Sequence, residues 1–237
     1  PLLCASHGGI VLRCVLANKQ TAIAVVVVGG ILALASLAEA YAEITPYFLG
    51  GIGAAQRFRA LVTGAFIPGD SRWSRDLYLD ECLDVPSAIY ALAQPTASRR
   101  RLLLNCSDNA GRIVASAPTT SSAWLVLAMT AAERRDYSAM RQALAMSKCT
   151  APKLQWLADR RTQLVEAHPD QVDAAGRAVY EDDLAVLATG RMGIEVLAQR
   201  YVRRADLRDT YTRILELAPP DRQRAFLGLV TQRAADK

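Results

Sequence analysis

An uninterrupted apolar segment near the N-terminus is the most prominent feature of the hydrophobic pattern. No charged residue occurs between Lys19 and Glu39, and residues 21–38 are mostly apolar. A helix needs about 20 such residues to cross the hydrocarbon core of a bilayer, whereas the core helix of a soluble protein keeps a polar stripe. The segment therefore predicts a transmembrane helix at residues 21–42, preceded by a short segment at residues 1–20.

The charges on either side of the apolar segment predict its orientation. Arg13 and Lys19 precede the segment, whereas Glu39 and Glu43 follow it. Positively charged flanks of a membrane helix stay in the cytoplasm. We therefore expect a single-pass protein of the cytoplasmic (inner) membrane, with residues 1–20 inside and the C-terminal domain extracytoplasmic.

A triplet of small residues around Glu39 leaves a second interpretation open. Ala38-Glu39-Ala40 follows the apolar run and fits a signal-peptidase site. The run is longer than the roughly 7–15 residues of a signal-peptide apolar region, which favours an uncleaved anchor. A cleaved signal peptide is the alternative.

Residues 43–70 contain many residues that interrupt helices. These are Pro46, Gly50, Gly51, Gly53, Gly64, Pro68 and Gly69. Because proline and glycine disfavour a long regular helix, we predict a juxtamembrane connector here. Its aromatic and basic residues suit the level of lipid headgroups, and a linker packed on the following domain is the alternative.

From Ser71 onward, apolar residues recur with helical spacing between Pro and Ser/Thr/Asp clusters. The pattern predicts antiparallel helical hairpins over residues 71–168 and a C-terminal helical bundle over residues 169–237. Asp136 is expected to cap one of the helices. Five side chains are predicted to form the structural core of one hairpin: Trp124, Leu127, Tyr137, Met140 and Leu144. The expected fold class is all-α, with a single N-terminal transmembrane helix.

The spacing around this hairpin resembles a tetratricopeptide repeat, a helix–turn–helix unit of about 34 residues. The matching positions are Trp124, Leu127, Ala128, Tyr137, Met140, Leu144, Ser147 and Pro152. One period earlier, Tyr90 and Pro118 stand in register with Trp124 and Pro152, although the residue types there match only in part. The resemblance implies degenerate, irregular tetratricopeptide-like hairpins and a concave surface for peptides or partner proteins.

The distribution of charge narrows the class of partner. The net charge of +5 is spread along the chain, unlike the concentrated basic face of a nucleic-acid-binding protein, so no nucleic-acid partner is predicted. The densest basic run is Arg99, Arg100 and Arg101. A solvated helix start is the simpler interpretation, and contact with a partner or an acidic surface is the alternative. Arg161 is a further candidate contact, because a charge that follows Leu157 on an apolar stripe needs a partner or a groove.

Residues suited to catalysis are few. The histidines are His7 and His168, and His168 is expected to cap a helix C-terminus. Glu181, Asp182 and Asp183 are consecutive and point in different directions on a helix, so we predict a solvated face. No nucleophile elbow, zinc-protease motif or nucleotide-binding loop occurs in the sequence. We therefore predict a protein that is not an enzyme and has no cofactor or metal.

Five cysteines fall on both sides of the predicted membrane helix. Cys4 and Cys14 should be cytoplasmic and reduced, whereas the other three face an oxidising compartment. Cys82 and Cys106 flank an expected helix turn, and antiparallel neighbours can bring their Cα atoms within bridging distance. We predict a disulfide between them, with buried free thiols as the alternative, which leaves Cys149 unpaired.

These observations favour an interaction module over an enzyme. We expect a membrane-anchored extracytoplasmic scaffold that binds other envelope or membrane proteins, for instance in polysaccharide synthesis or secretion. The envelope setting depends on analogy of fold alone. The alternatives are an accessory subunit held in a complex through its transmembrane helix, and an enzyme with unrecognised carboxylate chemistry. The sequence leaves the oligomeric state open.

Overall fold

The computed structural model describes residues 7–50 and 53–235 of the 237-residue chain. The all-α prediction is confirmed for this part of the chain, which contains helices and turns and no strand. The helices are α1 (His7–Gly50), α2 (Ala54–Thr63), α3 (Arg72–Asp84), α4 (Ile89–Leu92), α5 (Thr96–Ser116), α6 (Ser121–Glu133), α7 (Tyr137–Thr150), α8 (Gln155–Ala167), α9 (Ala174–Thr189), α10 (Arg191–Arg203), α11 (Arg208–Glu216) and α12 (Pro220–Ala235).

Helix α1 contains a segment of membrane-spanning length. Within it, the stretch Thr21–Thr45 contains an 18-residue window with a mean hydropathy of 2.4, and none of that window is buried in the protein. It is the one helix among the described residues that is long and apolar enough to cross a membrane. Each Å² of apolar surface left in water costs about 25 cal/mol, so this uncovered surface favours an apolar surrounding.

The structure differs from the predicted connector at residues 43–70. Helix α1 continues through Pro46 to Gly50, and α2 follows it. A proline inside a helix removes one backbone hydrogen bond, which a long helix can tolerate. Gly50, Gly53 and Gly64 therefore mark the ends of helices here, whereas Pro46 lies within α1. Residues 43–50 and 54–63 are thus helical and not an irregular linker.

Much of this segment belongs to the core of the domain. Phe58, Leu61 and Phe66 are buried, and the Phe66 ring contacts the Tyr78 ring of α3 edge to face at 5.2 Å. The amide of Asn105 on α5 donates to the Leu61 carbonyl at 2.8 Å and so satisfies a free carbonyl at the end of α2. For Phe58, Leu61 and Phe66, a linker packed on the domain is therefore a better description than a headgroup position.

Helix α6 is the centre of the domain because it packs against α3, α5, α7 and α8. Asp136 caps α7 by accepting a hydrogen bond from the Ala139 amide at 3.1 Å. The turn between α6 and α7 is short and places Arg135 at a φ of 61°. The two helices thus pack against each other as an antiparallel pair.

The predicted core of this pair needs a correction. Met140 and Leu144 are buried, but Trp124, Leu127 and Tyr137 are only half-buried. The residues of α6 that are most buried are Ala123, Leu125, Val126, Ala128 and Ala131. A helix with neighbours on nearly every side has no single apolar stripe. The predicted face with Trp124 and Leu127 therefore lies at the edge of the core.

Helices α8 to α12 complete the domain. Gly190 ends α9, and a Cβ at Gly193 would lie 2.2 Å from the Leu187 carbonyl oxygen. Glycine therefore permits the close approach of α9 and α10. Tyr201 of α10 and Phe226 of α12 stack edge to face at 5.3 Å, and this contact holds the last helix in place.

Candidate functional site

An open cavity of 760 Å³ lies between α3, the N-terminus of α6 and the N-terminus of α8. A smaller cavity of 340 Å³ adjoins it, since Asp80 and Trp156 line both. We call the two together the groove. Its defining residues are Trp73, Asp76 and Asp80 of α3, Ser121 of α6, Ala151 of the α7–α8 loop and Trp156 of α8.

Exposed aromatic rings stand on both sides of the groove. Trp73 is 72% exposed and Trp156 is 40% exposed, and Leu154 beside Trp156 is also exposed. Large apolar side chains that share one concave surface are typical of binding sites. Tryptophan also contributes disproportionately to binding energy at protein interfaces. The groove thus exposes large apolar side chains that a bound partner would cover.

Carboxylates form a row along the α3 side of the groove. Asp76, Asp80 and Asp84 are four residues apart and therefore share a helix face. Asp76 forms an ion pair with Arg72 at 3.4 Å, and Asp84 pairs with Arg160 of α8. Asp80 has no hydrogen-bond or ion-pair partner among the described residues.

The environment of Asp80 changes its acidity. The groove walls partly remove water from its carboxylate, and Asp76 and Asp84 repel its charge. These effects outweigh the attraction of Arg160 and raise the pKa of Asp80 to about 6. Such a group is charged at neutral pH and ready to pair with a cation. The groove therefore offers, between two exposed tryptophans, a carboxylate that forms no ion pair of its own, since the neighbouring Arg160 pairs with Asp84.

A buried ion pair lies behind the groove. Arg161 of α8 is 1% exposed and donates to both carboxylate oxygens of Asp183 on α9, with Nε to Oδ2 at 2.6 Å and Nη2 to Oδ1 at 2.8 Å. Lys148 of α7 donates to the same carboxylate at 2.9 Å. Bidentate geometry of this kind fixes the orientation of both side chains.

The same pair positions two parts of the groove wall. Arg161 Nη2 donates to the Ala151 carbonyl at 3.3 Å, which fixes the α7–α8 loop. Ser121 Oγ at the start of α6 donates to the Ser147 carbonyl at 2.6 Å. Arg161 also reaches Ser147 through Nη1 at 3.4 Å. Buried hydrogen bonds of Arg161 and Ser121 thus hold the wall of the groove in place.

This arrangement corrects two predictions made from the sequence. Arg161 is not a contact for a partner or an acidic surface, because it is buried and paired inside the protein. Asp183 does not lie on a solvated face, because its side chain is fully buried. The partners of Arg161 are 10 to 22 residues away in sequence, so helical spacing alone could not identify them.

The run of arginines lies apart from the groove. Arg99 and Arg100 line a separate cavity of 430 Å³ at the start of α5, together with Glu133 and Arg134. Arg101 is exposed on the same helix. The structure therefore does not bring these arginines together with the tryptophans and Asp80.

The cysteines outside the apolar helix occupy two environments. Cys82 of α3 and Cys106 of α5 form a disulfide with a Cα–Cα distance of 5.8 Å, and both are fully buried. Cys149 is a free, exposed thiol on α7. Cys4 and the side chain of Cys14 lie outside the described part of the chain.

Groups suited to other chemistry are dispersed. His168 caps the C-terminus of α8, and its ring lies 5.8 Å from that of Tyr137. Within residues 7–50 and 53–235, no three His, Cys, Asp or Glu side chains are grouped as ligands of a metal ion.

Sequence reasoning did not identify Trp73, Asp80 or Trp156 as site residues. The spacing of the carboxylates on α3 was a signal that they share a face. The surface opposite these carboxylates is formed by α6 and α8. The spacing of residues within α3 gives no information on where those two helices lie. Comparisons of the chain with protein-family models, with curated proteins and with solved structures found no match.

Proposed function

We propose that the chain is a membrane-anchored, extracytoplasmic helical scaffold that mediates protein–protein interaction in a cell-envelope assembly. The observation that carries the proposal is the combination of an uncovered apolar helix with a domain whose groove exposes two tryptophans and one unpaired carboxylate. An assembly for polysaccharide synthesis or secretion is the setting we favour.

The anchor is supported by the surface of α1. Every side chain from Thr21 to Tyr41 is exposed, although most are apolar, and a bilayer would cover them. Arg13 and Lys19 precede this stretch, so we place the N-terminus in the cytoplasm. The Cys82–Cys106 disulfide supports a domain on the oxidising side of the membrane.

The groove is the surface we assign to the partner. Its exposed tryptophans would gain from burial, and Asp80 would pair with a Lys or Arg side chain brought by the partner. The antiparallel packing of α6 and α7 supports the resemblance to tetratricopeptide-like hairpins, which bind peptides through concave surfaces. A basic peptide segment of an envelope protein is the occupant that fits these groups.

The proposal is tested by purification of the full chain from detergent-solubilised membranes, followed by identification of co-purifying proteins. Trp156→Ala and Asp80→Asn should each weaken recovery of a specific partner. Leu227→Ala is the matched control, because Leu227 is an exposed apolar residue of α12 outside the groove. Equal recovery with all three variants would contradict the assignment of the groove.

A truncated chain distinguishes the second candidate function, an accessory subunit held through its membrane helix. A Cβ added at Gly29 or Gly30 would meet no neighbouring side chain or helix within 4 Å, so another helix could approach α1 closely at these glycines. If a chain ending at residue 50 recovers the same proteins, the membrane helix is the main contact and the scaffold proposal fails.

A further inference from the structure

Helix α1 is attached to the rest of the domain at Glu43. The Glu43 carboxylate accepts a hydrogen bond from the Ser71 amide at 2.6 Å, and a Cβ at Gly69 would lie 2.5 Å from the same oxygen. The turn that precedes α3 therefore lies directly against α1. Ser74 Oγ accepts from the Gly69 amide at 2.7 Å and fixes this turn to α3.

The length of the apolar segment places that attachment relative to a bilayer. The predicted span of residues 21–42 gives a helix of about 33 Å, close to the thickness of the hydrocarbon core. Glu43 follows this span directly and lies at the level of the headgroups. The Gly69–Ser71 turn that contacts Glu43 lies at the same level.

Two large apolar side chains flank this turn and face outward. Ile67 is 56% exposed, and Trp73 is exposed still further. Arg72 between the turn and Trp73 has a side chain that is 90% exposed. Tryptophan is enriched at the headgroup level of membranes, and arginine can place its charge there while its stem stays apolar.

We propose that Ile67 and Trp73 insert into the headgroup region of the bilayer that holds α1, so that the domain lies directly on the membrane. This inference rests on the proposed membrane anchor. Because Trp73 also lines the groove, the groove begins at the membrane surface. Trp156 lies on α8 across the groove, whereas α1 packs against α2 and α3. Trp73 then contacts lipid, and Trp156 and Asp80 stay available to a membrane-proximal segment of the partner.

Tryptophan fluorescence in lipid vesicles tests the proposal with the full chain. Two variants leave one of these residues as the single tryptophan: Trp124→Phe with Trp156→Phe retains Trp73, and Trp73→Phe with Trp124→Phe retains Trp156. Each variant is reconstituted into phosphatidylcholine vesicles with and without phosphatidylcholine brominated near the headgroup end of the acyl chains. Bromine quenches only a nearby indole ring.

We expect brominated lipid to quench Trp73 strongly and to leave Trp156 unchanged. Alkaline extraction of the same vesicles reports separately whether α1 is embedded. Equal, weak quenching of both tryptophans in a chain that resists extraction would overturn the headgroup contact and leave the anchor standing. Release of the chain by extraction would overturn both the anchor and the contact.

Discussion

In the N-terminal half of the domain, helices α2, α3 and α5 pack through apolar side chains and one covalent link between Cys82 and Cys106. In the C-terminal half, helices α8 to α11 are joined by buried polar groups. There Glu166 Oε1 accepts from Tyr211 at 2.9 Å and from Arg200 at 3.2 Å. Apolar packing is common to both halves. The disulfide distinguishes the first half, and the network of buried charges distinguishes the second.

The polar half carries the larger penalty when one partner is removed. A buried ion pair adds little net stability, but loss of one partner leaves an uncompensated charge in the interior. Burial and the nearby Glu166 carboxylate raise the pKa of Tyr180 and of Tyr211 above the usual range, so these tyrosines stay neutral donors. The comparison predicts different responses of the two halves to substitution and to reducing agents.

The largest expected effect is that of Arg161→Ala. It removes the bidentate partner of the buried Asp183 and leaves only Lys148 to compensate the carboxylate, so it should lower the free energy of unfolding by about 3 kcal/mol. Denaturant titration of the full chain in detergent, followed by circular dichroism, measures the change. Arg213→Ala is the control, because the exposed Arg213–Glu181 pair is worth about 0–1 kcal/mol. A similar, small effect of both variants would contradict the role of the buried pair.

Removal of the disulfide should affect the other half. Replacing both Cys82 and Cys106 by Ala should cost roughly 3 kcal/mol, since the bridge restricts the unfolded chain. Dithiothreitol should lower the melting temperature of the wild-type chain and leave that of the double variant unchanged. Cys149→Ala should have no effect on the melt. Mass spectrometry without reduction that finds free thiols at both positions would contradict the bridge.

Trp124→Ala tests where the core ends between the two halves. Because Trp124 is half-buried, we expect a loss of about 2 kcal/mol, below the 3–5 kcal/mol of a fully buried aromatic residue. Its Nε1 donates to the Pro118 carbonyl at 2.7 Å, and the loss of that bond is included. Leu144→Ala on the buried face should cost more, and thermal melts of both variants compare them. The opposite order would restore Trp124 as the structural centre.

The smallest expected effect concerns Asp80. Its folded-state pKa of about 6 exceeds the ordinary 3.8, so the folded chain binds more protons than the unfolded chain between these values. Stability should therefore fall as pH rises from about 4 to 6. Asp80→Asn should remove this dependence and stabilise the protein at pH 7 by less than about 1 kcal/mol, because solvent screens an exposed charge.

Melts of the wild type and of Asp80→Asn at pH 4 and pH 7 measure this difference. Asp221→Asn on α12 is the control, because Asp221 is an exposed carboxylate outside the groove. A wild-type protein that gains stability from pH 4 to 6 through Asp80 would contradict the raised pKa.

Local patterns predicted the helices better than they predicted the contacts between them. The Asp136 cap and the position of His168 at the end of α8 depend on neighbouring residues, and the structure places both where the sequence indicates. The pairing of Arg161 with Asp183 and the half-burial of Trp124 depend on how α6, α8 and α9 pack. That information lies in contacts between distant residues, which hydrophobic periodicity does not contain.

Only parts of the groove could be predicted from the sequence, because the groove is formed by contacts between helices that are distant in the chain. The spacing of Asp76, Asp80 and Asp84 gives one face of α3, and Trp156 follows a helix start. The raised pKa of Asp80 and the open cavity arise when α3 meets α6 and α8. The apolar segment of α1 was evident in the sequence because its signal is entirely local.

We propose that α1 holds the domain outside the cytoplasm, and the native, exposed thiol of Cys149 reports directly on which side the domain lies. Spheroplasts that express the full chain are treated with a membrane-impermeant maleimide before and after lysis, with Cys149→Ser as the control. We predict that intact spheroplasts label the wild-type chain and that Cys149→Ser abolishes this labelling. Labelling of Cys149 only after lysis would place the domain in the cytoplasm and contradict the account.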